Sequence, residues 1–369
     1  MNSRQKLEYE NALSQVTDPL SGASLGLGRA RSAADIATLS GIDTNWEDIL
    51  YKKGFTSSYN VAIANGTENS SSRFSLGYDS EEGIVVGYEG FQRISASLSN
   101  TTKINKSMNY GYNVNGAYST IDDPRDRRNV QSPFWSEYSN NPYTTLYQLD
   151  ASGNPILDDD GNKIFNIDST LNSFGYQVLD EIIYTDQERR NLRLFGSAFF
   201  EVFITDDLKV RTQFGANYDR LQSESFLKPT ARLNSFIGTT GTKTDTSSDR
   251  LDYNWRNELS YGKEFGNHDL RLTVASEYSK DNFYTIELNS RNFPNDFQNT
   301  QNLAGSIDQD SNTRRFGISR YGYIGALNYD YENKYFLNAY FRRDGTSLAG
   351  LDNQYGNFYG ASLAWDLAR

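Results

Sequence analysis

The sequence predicts an all-β chain: an antiparallel, up-and-down transmembrane β-barrel wall of roughly eleven or twelve strands behind a short helical lead-in. Three observations carry this expectation. Tyr (26), Phe (21) and Trp (4) make up 14% of 369 residues, yet the mean hydropathy is −0.68. Long segments alternate apolar and polar residues with a period of two. Short and long connections between those segments also alternate.

The alternation is nearly unbroken, with Ala117 the one dissenting residue of 108–119. Met108, Tyr110, Tyr112, Val114 and Tyr118 share one parity of 108–119, with Asn109, Gly111, Asn113, Asn115 and Ser119 on the other. Leu208, Val210, Phe214, Ala216 and Tyr218 alternate with Lys209, Arg211, Gln213 and Asn217. Segments 251–261 and 270–278 repeat the pattern, the first through Leu251, Tyr253, Trp255, Leu259 and Tyr261, the second through Leu270, Leu272, Val274 and Tyr278. Each is a strand with one apolar and one wet face. On this reading Val210 and Phe214 face lipid, with Phe214 near mid-bilayer, while Arg211 and Gln213 face the lumen.

Strands of ten or more residues exceed the five or six typical of soluble sandwiches. A large soluble sandwich or jelly roll would bury the same parity in a core, but strand length and loop asymmetry weigh against it. Tight turns are expected at Asn105-Lys106-Ser107, Thr205-Asp206-Asp207, 262–268 and Glu332-Asn333-Lys334. Long connections are expected at about 120–188, 221–248 and 280–312. That asymmetry fits short periplasmic turns and long extracellular loops. Tyr329, Tyr331 and Tyr335 straddle one short turn, with Tyr261 and Phe265 at another, as interfacial aromatics would.

The first 56 residues read differently. Residues 3–15 and 32–39 suit short helices, and Thr44 with Glu47 has capping-box spacing before an apolar stretch. The polar start, Met1-Asn2-Ser3-Arg4-Gln5-Lys6, carries no apolar signal region, which we read as the mark of a fragment. The expected division is a lead-in over 1–56 and the partial barrel over 57–369.

Several chemistries are excluded. With no cysteine there is neither a disulfide nor a thiolate metal site, and with His268 alone no multi-histidine site. A net charge of −11 argues against nucleic acid as a partner. Asp158, Asp160 and Asn162 have the spacing of the first three EF-hand ligands. The glycine comes one residue early, however, and Ser169 stands where the twelfth-position glutamate belongs, so a hairpin turn is expected. Leu25-Gly26-Leu27-Gly28-Arg29 lacks the preceding strand of a phosphate loop. No cofactor, metal site or catalytic residue is expected, and no nucleophile pairs with a base.

The segment Asp43-Thr44-Asn45-Trp46-Glu47-Asp48-Ile49-Leu50 resembles one found just after the plug in SusC/RagA-type TonB-dependent outer-membrane transporters. Tyr59-Asn60-Val61, then Arg73 through Tyr78, Glu82-Gly83-Ile84-Val85 and Phe91 through Ser95 are similar to that family's first barrel hairpin. Near the end, Arg342-Arg343-Asp344-Gly345-Thr346-Ser347 and Gln354-Tyr355-Gly356-Asn357-Phe358 continue the likeness. Ser347-Leu348-Ala349-Gly350 departs from the family pattern, in a loop that leaves the alternation intact.

The resemblance implies a piece of a barrel of about twenty-two strands, lying in the bacterial outer membrane and following a missing plug. The parent would import an oligosaccharide or peptide, drawing energy from the TonB complex through that plug, with a SusD-like lipoprotein as lid. The alternatives are a non-transporting adhesin or carbohydrate-binding surface protein, and a siderophore receptor built on the same barrel. Substrate contacts are expected in the 120–188 loop from Phe134, Trp135, Glu137, Tyr138 and Tyr143, whose rings can stack on sugars. The cluster Arg125-Asp126-Arg127-Arg128 could hold an anionic substrate group or a lipopolysaccharide phosphate, but a solvated loop is the favoured reading.

Overall fold

The computed structural model describes every residue except 123–131, 160, 168–176 and 368–369. Three helices lead in: α1 (Ser3–Ser14), α2 (Ala33–Leu39) and α3 (Trp46–Leu50). There follow β1 (Thr56–Gly66), β2 (Ser70–Glu81), β3 (Gly90–Asn105) and β4 (Met108–Asp122). The connection after β4 carries α4 (Pro133–Ser139) and α5 (Val178–Ile183). The chain then forms β5 (Thr185–Phe203), β6 (Leu208–Leu227), α6 (Leu233–Ile237), β7 (Thr242–Phe265) and β8 (His268–Arg291). It ends with β9 (Ser306–Ile307), β10 (Asn312–Tyr331), β11 (Tyr335–Thr346) and β12 (Tyr355–Trp365).

All twelve strands form one antiparallel sheet in sequence order, with the two-residue β9 extending the partnership of β8. The sheet is an open meander, a partial barrel whose edge strands are β1 and β12. Short turns stand at one end. Gly266 takes a left-handed φ of 62° between β7 and β8, and Glu332 (59°) and Asn333 (52°) form the left-handed pair between β10 and β11. Such mirror-image turns match the twist of hairpin strands.

The long strands run further than their hydropathy alternation. β7 and β8 each have 24 residues, so the connections expected at 221–248 and 280–312 shrink to 228–241 and 292–311. In Thr242 to Ser248 and its partners Ser223 and Glu224, polar residues occupy both faces. A ladder whose two faces are both wet keeps its hydrogen bonds but loses the period-two hydropathy signal.

Among the described residues, the hydrophobic core cluster lies at the long-connection end. Trp46, Leu50, Val85, Phe165, Val178, Leu179, Ile182 and Leu227 pack there together. The lead-in reaches it from the same end: Lys52 N–H donates to the Ile84 carbonyl (2.7 Å) and Val86 N–H to that of Leu50 (2.9 Å). The lead-in and the β4–β5 connection therefore form one small cap. The cap of α3 is Asn45, whose side chain accepts from the Glu47 N–H. Thr44, expected to hold that position, turns its hydroxyl to the Thr144 carbonyl at 2.6 Å instead. A bond to a partner 100 residues away outcompetes local capping here.

Candidate functional site

The register assigns every strand residue to one of two faces, because directly paired residues lie on the same side of a sheet. Tyr112 pairs with Ala198, Ala198 with Phe214, Phe214 with Trp255, and Trp255 with Tyr278. The apolar parities of five strands, β4 to β8, therefore share one face. Val61, Leu76, Val274 and Phe341 lie on that face and are half or more exposed, or nearly so (67, 48, 51 and 46%). The face also carries the polar row Thr212, Asn257 and Ser276, but so many exposed apolar side chains are foreign to a water-exposed exterior.

Two rows of rings bound this face. The row toward the long connections runs Phe214–Tyr253 (6.3 Å between centroids), Tyr253–Tyr278 (6.0 Å) and Tyr278–Tyr321 (4.8 Å). The row at the short turns runs Phe265–His268 (5.1 Å), His268–Tyr331 (4.8 Å), Tyr331–Tyr335 (6.3 Å) and Tyr335–Trp365 (6.0 Å). From Tyr278 to His268, as from Tyr321 to Tyr331, is ten residues. At ~3.3 Å per residue and a tilt of about 40°, the rows stand about 25 Å apart. That is the height of the apolar band between the aromatic girdles of an outer-membrane barrel.

The opposite face is charged and internally paired. Arg256 reaches Glu258 (2.7 Å) and Glu277 (2.5 Å), and Arg342 bridges Glu277 (3.1 Å) to Asp344 (2.6 Å). Lower on the same face Glu201 receives Lys209 (3.3 Å) and Arg211 (3.7 Å). A hollow of about 600 Å³ opens over this network, with Asn254, Ser279, Arg320 and Phe358 on its walls. Gly322 is part of its floor: a Cβ there would lie 3.1 Å from the Asp344 carboxylate and 3.2 Å from Arg342. The hollow thus offers guanidinium and carboxylate edges together, suited to hydroxyl-rich or zwitterionic groups rather than to one sign of charge.

The cap rests on buried polar pairs. Trp46 donates its indole N–H to the Asn141 carbonyl at 3.0 Å. The Tyr143 ring is fully buried; its hydroxyl donates to Glu10 (2.9 Å) and accepts from Arg31 (3.0 Å). Burial and the Glu10 carboxylate push its pKa up to about 12. Burial likewise raises Asp180 to about 6, although it accepts the Arg232 backbone N–H at 2.9 Å. Tyr51 is raised by burial and by its bond to Glu137 (2.9 Å). Asp150 is lowered by the Asn154 N–H it accepts.

No family model matches the chain. A TonB-dependent receptor of Formosa agariphila, P3, is 25% identical over 333 residues, 89% of this chain and 32% of that protein. SusC, a TonB-dependent receptor of Bacteroides thetaiotaomicron, is 23% identical over 364 residues, 90% of this chain and 33% of it. Among solved structures, the RagAB peptide transporter superposes with a TM-score of 0.74 at 17% identity, over 99% of this chain and 42% of that one. The chain is SusC/RagA-like. It spans about a third of the length of the curated relatives it matches, all of them named as receptors rather than enzymes.

Within this SusC/RagA-like frame the five expected contact residues separate. Trp135 and Tyr138 are 51 and 82% exposed on α4, as a contact surface requires. Phe134 is exposed on one side and stacks on Tyr51 on the other, at 5.9 Å. Glu137 is taken up by the Tyr51 hydroxyl. Tyr143 is a correction: packed inside the cap between Arg31 and Glu10, it has no surface to offer a ligand. Phe214 also shifts, since its ring belongs to the upper aromatic row rather than to the middle of the band.

Asp150 and Asp158 each close a hairpin turn, accepting the N–H of Asn154 (2.8 Å) and Asn162 (2.7 Å). Among the described residues no group of three acidic or histidine side chains could hold a metal; Asp160 and the Arg125–Arg128 cluster lie outside those residues. The charged network was not anticipated. Its trace in the sequence is the i, i+2 pairing of Arg256 with Glu258 and Arg342 with Asp344, opposite charges two apart on one wet face.

Proposed function

We propose that the chain forms about half of the wall of an outer-membrane importer, with its apolar face against lipid and its charged face lining the lumen. The apolar band between two aromatic rows, about 25 Å tall at the tilt of a barrel strand, carries this reading. The whole protein imports an oligosaccharide or peptide through the plug-and-TonB route suggested by the likeness to SusC and RagAB, and a SusD-type lipoprotein covers its outer end. Trp135 and Tyr138 on α4 form the first substrate contact, and the Arg256–Glu277–Arg342 hollow a second, deeper one. Because the lead-in enters from the long-connection end, it belongs with the extracellular cap rather than beside the periplasmic turns.

The test is uptake. A strain deleted for the full-length gene is complemented with wild type and given labelled oligosaccharides and peptides, with and without a protonophore. Energy-dependent uptake of one class, together with recovery of the protein in the outer-membrane fraction, is expected. Uptake that ignores both the deletion and the protonophore overturns the transport reading.

A further inference from the structure

Just beyond the upper aromatic row, the lipid-side face carries a groove, walled in part by Leu251 and Phe316, that the transport reading does not use. Its volume is about 570 Å³, and Lys280, Asn282, Tyr284, Arg315, Gly317 and Ser319 line it with Asp249. All seven share the face of Tyr278 and Tyr321: Lys280 pairs with Ser319, Asn282 with Gly317 and Tyr284 with Arg315, while Asp249 pairs with Tyr284 across β7 and β8. Gly317 keeps the groove open, since a Cβ there would meet the Asn282 amide oxygen at 3.3 Å.

The charges are unevenly satisfied. Asp249 is spoken for by the Tyr218 hydroxyl (2.7 Å) and Arg220 (3.6 Å). Arg315 lies over the Tyr284 ring at 5.1 Å, which leaves its guanidinium N–H edge without an acceptor. Lys280 has no ion-pair partner among the described residues. In a chain of net charge −11, two cations left without carboxylates on one patch call for an external anion.

Position identifies that anion. Lys280 stands two residues beyond Tyr278, about 5 Å above the ring row along the tilted strand, and Arg315 stands six residues from Tyr321, about 15 Å above it. Together they span the headgroup layer just outside the hydrocarbon. We infer that the groove formed by Lys280, Arg315, Asn282 and Ser319 binds the phosphate of an outer-leaflet phosphorylated lipid, whose acyl chains lie down the apolar face below. The flat Arg315–Tyr284 pair presents paired N–H donors to phosphate oxygens, and Lys280 supplies the second charge nearer the acyl chains.

This inference rests on the membrane-spanning reading above. The full-length receptor is purified from outer membranes in mild detergent, and bound lipid is counted by native mass spectrometry after addition of bisphosphorylated or dephosphorylated lipid A. Wild type and Arg314→Ala, whose side chain is on the opposite face, should retain the phosphorylated lipid. The double variant Lys280→Ala/Arg315→Ala should retain it at least about tenfold less, as expected for losing two charge-assisted contacts. Equal retention by the double variant, equal retention of dephosphorylated lipid, or displacement by millimolar inorganic phosphate each overturns the lipid site. A receptor absent from the outer-membrane fraction would instead overturn the membrane reading on which it depends.

Discussion

Arginine placed at successive depths on the apolar face separates a lipid-facing wall from any other exposed sheet. Val274 is 51% exposed and lies four residues from Tyr278 and six from His268, so it occupies the centre of the band between the two ring rows. Arg at the midplane of such a band costs about 2–4 kcal/mol, falling to about 0–1 near the interfaces. Val274→Arg should therefore destabilise the full-length receptor by about 2–4 kcal/mol. Phe214→Arg, at the upper row, should cost about 1 kcal/mol, plus whatever its 6.3 Å ring contact with Tyr253 contributes. Thr273→Arg sits one residue from Val274 on the charged face, and should cost little. The assay is reversible folding into vesicles of defined acyl length, followed by guanidinium titration. Equal destabilisation at Val274 and Thr273 would refute the facing assignment. Equal destabilisation at Val274 and Phe214 would refute the depth assignment.

Other consequences follow from the cap. Asp180 has a folded-state pKa of about 6 against 3.8 in the unfolded chain, so its charged form is disfavoured in the fold. The Asp180 contribution to cap stability is then greatest below pH 3.8, declines as pH rises toward about 6, and is level above that, a span of about 3 kcal/mol. Hydrogen exchange in the described parts of 132–183 between pH 4 and 7 should show this decline, and Asp180→Asn should flatten it. Tyr143→Phe removes the hydroxyl shared by Glu10 and Arg31 and should loosen the cap by about 1–3 kcal/mol, read as faster proteolysis of the lead-in. Trp135→Ala and Tyr138→Ala should leave that proteolysis unchanged while weakening substrate uptake; the reverse pattern would assign α4 a packing role. Filling the lumenal hollow with Gly322→Val should slow uptake without removing the protein from the membrane.

The strand segments and the sidedness of the wall were legible because a period-two pattern reports directly which residues share a face. Parity alone put Val210, Leu259 and Val274 on the apolar faces of their strands, and the register joins them on one side. Depth along the strand was not legible. Parity says which way Phe214 points and nothing about how far it stands from either membrane edge, which depends on cross-strand stagger. The strand extensions past residues 220 and 279 escaped because Thr242 to Asp249 on β7 is polar on both faces, and because the polar run Ser279 to Asn282 on β8 interrupts the alternation that Tyr284, Ile286 and Leu288 resume.

The cap was the least readable part. Tyr143 and Trp46 owe their burial to partners roughly a hundred residues away, Tyr143 to Glu10 and Arg31, Trp46 to Asn141. A local window shows only an aromatic in a polar loop, which looks the same whether it binds sugar or anchors a helix. Thr44 illustrates the same point at a helix start, where its hydroxyl is claimed by Thr144 and Asn45 takes over the cap.

The most direct test of the two-faced wall is residue-by-residue accessibility in the native outer membrane. The chain contains no cysteine; with any cysteine elsewhere in the full-length receptor replaced by serine, single cysteines from Leu272 to Ser276 can each carry a spin label. Oxygen, which concentrates in lipid, should relax labels at 272 and 274 most strongly, and a water-soluble nickel chelate should favour 273 and 275. Alternation in antiphase between the two reagents is the predicted result. A uniform response along all five positions would contradict the account at its centre.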